Sequence, residues 1–560
     1  MHSFFDAATT SRWAFLLLGL LCSINAVLAQ STALHPHLAQ AEASRAAALR
    51  NYDLQSLSSN NFDVHFYRCR WSVDPAVRAI KGSVAAHFTA TASGNELVFD
   101  LAATLTVDSV LFRSVKTTFN HTSTNALRIN LPLTLAAGQK DSVEVFYGGV
   151  PPAAQDYFGQ RANFGGAPIL WTLSQPYGAR TWWPCKDNLQ DKADSIDIYI
   201  TCPQAYTSSS NGLPVSEVVA NGQRTVYWKH RYPIVAYLVA MAVTDYVMDK
   251  RTVTTGGKQM PLVMYSKAAS KDLFANATNT AAFCLERFPA LFSDYPFVNE
   301  WYAQTQFPVG GGMEHQTNSF IGTADAYLVA HELGHQWFGD KVTCATWGDL
   351  WLNEGFATYS ELLHVELTNA ANRINTLINW RSRIIQSPGG SVFVTDTSSF
   401  NRLFDYRLTY LKAGYVVHML RIRLGDSTFF RGVRRYLNDP ALAYKSATTA
   451  DLRRHLEAES GQNLQEFFSD WVYGEGYPTF QLEWAKTSGT AVNIRLQQTT
   501  SHPSVGLFEG PVAVRLSGAG RDTTVSLNFT ANGNVFNINP AFEVTGVAIN
   551  PNLDLLTGNN

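Results

Sequence analysis

Along the first half of the chain apolar and polar residues alternate one for one, the spacing of strands with one buried face. The pattern is carried by Asp63-Val-His-Phe-Tyr67, Gly82-Ser-Val-Ala-Ala-His-Phe-Thr89, Leu97-Val-Phe-Asp100, Ser142-Val-Glu-Val-Phe-Tyr147 and Ile196-Asp-Ile-Tyr-Ile200, with turn-formers between them. It predicts an antiparallel β domain over 61–253. Near Gly256 the texture changes. Met260-Pro-Leu-Val-Met-Tyr265 reads as a strand, and helical spacing then dominates from Thr278 to about Tyr473. Its clearest later stretches are 408–424 and 450–459, and 387–399 reads as a loop. After Gly474-Glu-Gly-Tyr-Pro478 the alternation returns in Phe480-Gln-Leu-Glu-Trp484, Val492-Asn-Ile-Arg-Leu496, Pro511-Val-Ala-Val-Arg-Leu516 and Val525-Ser-Leu-Asn-Phe529. Such strands over 477–560 suit a small β-sandwich. The order of textures is β, then mixed and helical over 254–476, then β: a multidomain α+β chain.

The first residues stand outside this scheme. Arg12 precedes an apolar run from Trp13 to Cys22, and Ala26-Val-Leu-Ala29 places small residues where a signal peptidase cuts. Residues 1–29 read as a secretory signal cleaved after Ala29. A membrane anchor is the competing reading, but the run falls short of the roughly 20 residues a spanning helix needs. No later segment is long and apolar enough to span a bilayer. The expected location is therefore secreted or periplasmic, with no stable membrane insertion after cleavage. Residues 30–60 form a lead-in, with a short helix over 35–50.

Composition narrows the classes. With 560 residues, 46% of them apolar, there is material for several packed cores. The 43 basic and 45 acidic side chains nearly balance, which argues against nucleic acid as a partner, since phosphate binding needs a basic surplus. Of six cysteines, Cys69, Cys185, Cys202, Cys284 and Cys344 follow the signal. They are too sparse for a disulfide scaffold, their odd number leaves a free thiol or an intermolecular bond, and no Cys-x-x-Cys pair offers a zinc site.

The chemistry gathers at His331-Glu332-Leu333-Gly334-His335. On a helix the two histidines lie one turn apart on one face and reach one metal ion. Glu332, offset by one residue, meets water at the ion without ligating it. Asp325 or Thr323 would cap this helix. A catalytic zinc takes a third protein ligand, and Glu354 stands nineteen residues after His335 at the start of a second helical stretch, Trp351-Leu-Asn-Glu354-Gly-Phe-Ala. An antiparallel helix there brings it back to the histidines. Two neutral ligands and one carboxylate leave net positive charge to acidify water, and Glu332 then takes the proton.

His331-Glu-Leu-Gly-His-Gln-Trp-Phe-Gly339 followed by Trp351-Leu-Asn-Glu-Gly-Phe-Ala357 resembles the M1 family of zinc aminopeptidases, the gluzincins that include aminopeptidase N and leukotriene hydrolase. The resemblance implies a β saddle, a thermolysin-like catalytic domain and a β-sandwich. It implies one Zn2+ per chain, held by His331, His335 and Glu354, and peptide substrates with a free N-terminus. Gly311-Gly312-Met313-Glu314-His315 resembles the family's Gly-x-Met-Glu-Asn strand, which lines the cleft and whose Glu binds the substrate amine; His315 replaces the Asn. Tyr410, in Thr409-Tyr410-Leu-Lys-Ala-Gly414, takes the place of the family's oxyanion donor, with Ala413 shifting the pattern and Tyr406 a nearby competitor. Gln175 stands five residues before Arg180 in a block like the family's Arg, aromatic, Pro-Cys and Asp, near the substrate amine; a turn residue is its alternative role. The long C-terminal helical domain of many members has no counterpart, so a more open cleft is expected. Thr358 stands where thermolysin has an Asp, so a carboxylate behind a histidine ligand must come from elsewhere. No Gly-x-Ser-x-Gly elbow appears. His230, His418, Trp337, Trp347 and Trp351 read as packing residues. The expected function is a secreted zinc aminopeptidase with Glu332 as base and Tyr410 as oxyanion stabiliser. Epoxide opening and a scaffold without catalysis are the rival readings.

Overall fold

The computed structural model describes residues 56–121, 123–153 and 157–559. The expected signal over 1–29 and the helix over 35–50 lie outside the described residues.

Strand Phe62–Asp74 buries Phe62 and Val64, then, past a bulge between Val64 and Phe66, Tyr67, Cys69, Trp71 and Val73, so the expected alternation changes phase once and Tyr67 rather than Phe66 turns inward. It lies inside an eight-stranded sheet. The expected antiparallel pairing holds there with Val77–Ala90, but on the other side Phe62–Asp74 runs parallel to Ser195–Pro203. Alternation reports which face is buried and not which way a neighbour runs. A four-stranded and a three-stranded sheet complete the N-terminal unit. Its core is aromatic: Trp71, Trp182 and Trp183 meet edge-on or tilted, with centroids 4.7 to 6.1 Å apart.

A five-stranded sheet follows, in the order Val247–Thr255, Lys258–Ser266, Tyr302–Gln306, Asn318–Ile321, Gly312–Met313. Its first strand begins at Val247, so the expected boundary at 253/254 falls inside a strand that pairs in register with Lys258–Ser266. Tyr302–Gln306 and Asn318–Ile321 sit in the stretch read as helical. Both are buried throughout or nearly so, and a strand covered on both faces shows no alternation. The helix Lys271–Leu291 packs on this sheet and on helix Ala326–Gly334. Helix Trp351–Asn369 then packs on Ala326–Gly334 and on Ala413–Leu424.

Two three-stranded sheets close over Phe480, Ile494, Leu496, Val514, Leu516 and Phe529 as the expected sandwich. The chain then turns back to the catalytic unit. Arg381 Nε donates to Thr557 O at 2.7 Å, the Tyr415 hydroxyl donates to Leu553 O at 2.7 Å, and Leu556 is fully buried.

Candidate metal centre and its cleft

Helix Ala326–Gly334 begins at Asp325, whose carboxylate accepts from Tyr327 N and Leu328 N at 3.0 Å each. From Leu328 on every residue is buried, so His331 and His335 are held by packing on all sides. Helix Trp351–Asn369 comes close because Gly334 has no side chain: a Cβ there would stand 2.5 Å from Ser360 Oγ. That approach carries Glu354 to the histidines. Its Oε2 lies 3.4 Å from His331 Nε2 and 3.4 Å from His335 Nε2.

The other ring nitrogens are engaged. His331 Nδ1 bonds to Glu361 Oε1 at 2.9 Å and His335 Nδ1 to Phe338 O at 3.0 Å. Both acceptors fix the proton on Nδ1 and leave Nε2 turned to Glu354. The residues fit zinc on this geometry. Two imidazoles and a carboxylate are its usual donors, and 3.4 Å is the edge of a tetrahedron whose bonds are about 2.1 Å long. The carboxylates also act on the rings. Burial opposes their charge, yet Glu354 and Glu361 raise His331 well above its usual range, and Glu354 with Glu314 raises His335 to about 9. Burial likewise opposes charge on Glu354, but His335 and His331 hold its carboxyl at about 2.

Around this centre the sequence-expected residues converge. Glu332 turns toward the glycine strand, where a Cβ on Gly312 would stand 2.3 Å from Glu332 Oε1. Carboxylate oxygens of Glu314 and Glu332 and a ring nitrogen of His335 lie within 4.8 Å of one another. Gln175 Nε2 donates to Glu314 Oε1 at 3.0 Å and reaches Glu354 Oε1 at 3.5 Å. Burial raises the Glu314 carboxyl; His335 opposes this and Glu354 adds to it. Gly311 holds a positive φ of 87° and its carbonyl accepts from Gly322 N, turning the chain into the short strand Gly312–Met313. Met313 itself is buried in the core. His315 is fully buried, its ring 4.3 Å from Phe320, and so faces packing.

Tyr410 lies on a π-helical stretch, Tyr406–Lys412, that leads into helix Ala413–Leu424. Its ring lies over His331 with centroids 6.0 Å apart and planes 24° from parallel. Tyr406 is 6.0 Å from Tyr410. The loop bearing Gln175 is pinned from below by a buried ion network: Arg180 Nε to Asp187 at 2.9 Å and Arg180 Nη1 to Asp100 at 3.8 Å. Of the other residues read as packing, His230 sits between Glu300 at 2.7 Å and Gln316 at 2.7 Å, and Trp337 and Trp351 are buried. Trp347 differs. It meets Tyr177 and Tyr237 at 5.6 Å each and lines a cavity of about 600 Å³.

Sequence reasoning left the carboxylate behind His331 unassigned; it is Glu361. A signal existed, since Glu354 and Glu361 are seven residues apart and therefore share a helix face.

Two histidines one turn apart, a glutamate from the next helix and a glycine-rich strand beside them make up a gluzincin-type metallopeptidase centre. The comparisons agree. Residues 61–238 match the Peptidase M1 N-terminal domain and residues 314–471 the Peptidase family M1 domain, together more than half of the chain. Aminopeptidase M1 of Arabidopsis thaliana is 30% identical over 55% of this chain and 37% of its own. Human glutamyl aminopeptidase is 30% identical over 57% of this chain and 35% of its own. The chain thus spans well under half of the length of these curated relatives. Among solved structures, an M1 zinc metallopeptidase from Deinococcus radiodurans bound to a Tyr-Ser-Ala substrate superposes with a TM-score of 0.66 at 23% identity, over 75% of this chain and 95% of that one. The chain belongs to peptidase family M1.

Proposed function

We propose that this protein is a zinc-dependent aminopeptidase that removes N-terminal residues from peptides, and that it works in a secreted or periplasmic setting. The observation that carries the reading is the placement of Glu314. A buried carboxylate, gripped by Gln175 from another unit, lies beside Glu332 and His335. A free ammonium paired with Glu314 sets its own first carbonyl next to the metal ligands, and a blocked terminus has no charge to pair.

His331, His335 and Glu354 would hold the zinc. When bound, the ion supplies a Lewis acid that acidifies water and polarises the scissile carbonyl. Glu332 takes the proton of the attacking water on its carboxylate and returns it to the leaving amine. Tyr410 donates its hydroxyl proton in a hydrogen bond to the oxyanion that develops on the carbonyl oxygen. Gln175 orients the Glu314 carboxylate and shares the ammonium. The edge of Gly311-Gly312-Met313 offers backbone groups to the extended peptide.

Export is supported by the leader over 1–29. Among the described residues, five cysteines are buried and none is paired, and no helix is long and apolar enough to cross a membrane. N-terminal sequencing of exported protein is expected to begin at Gln30; an uncut leader overturns the location. For the activity, zinc-loaded protein is given one peptide in free and N-acetylated forms, and products are followed by mass spectrometry. Stepwise loss from the free form alone is expected. Internal cuts in both forms would refute the amine anchor.

A further inference from the structure

Outside the cleft, and sharing none of its residues, a cavity of about 320 Å³ opens between the catalytic unit and the C-terminal sandwich. One wall is the far end of helix Ala413–Leu424, which gives Met419, Ile422 and Arg423; the others come from 467–471, the strand Gly510–Gly518 and the closing turn at 550–555. Its volume is at the lower end for sites of small ligands.

The lining divides sharply in character. Its floor is aromatic: Trp471 stacks obliquely on Phe508 at 4.5 Å and on Phe467 at 6.4 Å. Ile422 is left 41% exposed at the rim among the described residues. Above the floor stands one cation. The Arg423 guanidinium lies 5.8 Å from the Phe467 ring centre, and no ion pair to it is formed among the described residues. Its Nε is buried without a hydrogen-bond partner. The acids on the wall do not serve it: Asp554 pairs with Arg373 at 3.2 Å, and Glu509 is exposed. Gly510 makes room for the guanidinium head, since a Cβ there would stand 3.3 Å from Arg423 Nη1. Nε is shut off from the cavity, but the rest of the guanidinium is only partly buried, and its Nη groups are the donors an anion in the cavity reaches; a hydrogen bond made there to a charged partner is worth more than a neutral one.

We propose that this cavity is a binding site for a small monocarboxylate with a compact apolar body, whose carboxylate pairs with Arg423 while its body lies on Phe467, Trp471 and Phe508. The same chemistry is offered by a free apolar acid and by the α-carboxylate of an apolar amino acid or peptide. The site is separate from the metal centre, so it does not depend on the proposed peptidase activity.

Calorimetric titration of the zinc-loaded full chain tests it, with 4-phenylbutyrate, N-acetylphenylalanine and the neutral 4-phenylbutanamide as probes. One of the two acids is expected to bind at least about tenfold more tightly than the amide, as a charge-assisted pair implies. The tighter acid names the source. Arg423→Gln is expected to bring that acid down to the affinity of the amide while leaving peptide hydrolysis unchanged. Ala513→Leu, which fills the cavity without touching the charge, is expected to weaken acid and amide alike, and it decides the matter should Arg423→Gln fail to fold. Equal binding of acid and amide, or acid binding untouched in both variants, overturns the proposal.

Discussion

Glu361 makes the sharpest prediction, because it acts on the metal without touching it. Its carboxylate accepts the His331 Nδ1 proton at 2.9 Å, and its side chain is only 8% exposed, so solvent screens the pair little. Glu361→Gln keeps an oxygen where the acceptor stood but removes its charge. Glu361→Ala leaves the buried Nδ1–H with no acceptor. Partners of this kind change metal affinity by about 10- to 100-fold, which is about 1.4 to 2.8 kcal/mol. The Gln variant is expected near the lower figure and the Ala variant near the upper. Zinc dissociation constants are read by competition with a fluorescent chelator. Turnover is then compared with zinc limiting and with zinc in excess, where the Gln variant should regain most of its activity. Ala and wild type holding zinc equally tightly would refute the argument that Glu361 orients and charges the ligand.

Four other outcomes follow from the same geometry. Glu332→Gln should keep a full complement of zinc by metal analysis yet lose turnover by about 10²- to 10⁴-fold; retained turnover removes it as the base. Tyr410→Phe should lower kcat by about 10²- to 10³-fold with little change in KM, and a pure KM effect would deny it the oxyanion role. Gly312→Ala places a Cβ 2.3 Å from the present position of Glu332 Oε1, so kcat should fall while the thermal midpoint stays near wild type; unchanged kcat would mean the carboxylate moves freely. Burial of His418, with Arg373 and Arg421 beside it, brings its pKa down to about 3. The unfolded chain, with a pKa of about 6.5, binds that proton and the folded one does not, so stability present above pH 6.5 drains as pH falls toward 3. Replacing His418 by Gln should flatten that acid limb by about 2 kcal/mol between pH 6.5 and 5, measured from urea midpoints; an unaltered limb would exclude it as the source.

The sequence was most legible where burial is one-sided and chemistry is local. Alternating strands such as Phe62–Asp74 and Val492–Thr500 show their period of two because one face packs and the other does not. The His331–His335 pair was legible because a single helical turn fixes its geometry. Tyr302–Gln306 was not, since a strand covered on both faces has no period to read. The parallel partner of Phe62–Asp74 and the bond from Gln175 to Glu314 depend on how distant segments dock, and no spacing rule reaches across 139 residues. Trp347 reads like its neighbours Trp337 and Trp351 in sequence and packs in a core as they do, but the cavity at its edge has no signature in the sequence.

The division of the Glu314 grip between two units bears on how the chain is made. Gln175 and the Arg180–Asp187–Asp100 network beneath it are synthesised before any of the metal ligands. Domains fold as they emerge, the N-terminal one first. The unit that supplies Gln175 is therefore folded when Glu314, His331, His335 and Glu354 arrive, and the buried Glu314 carboxylate closes onto a partner that is already in position.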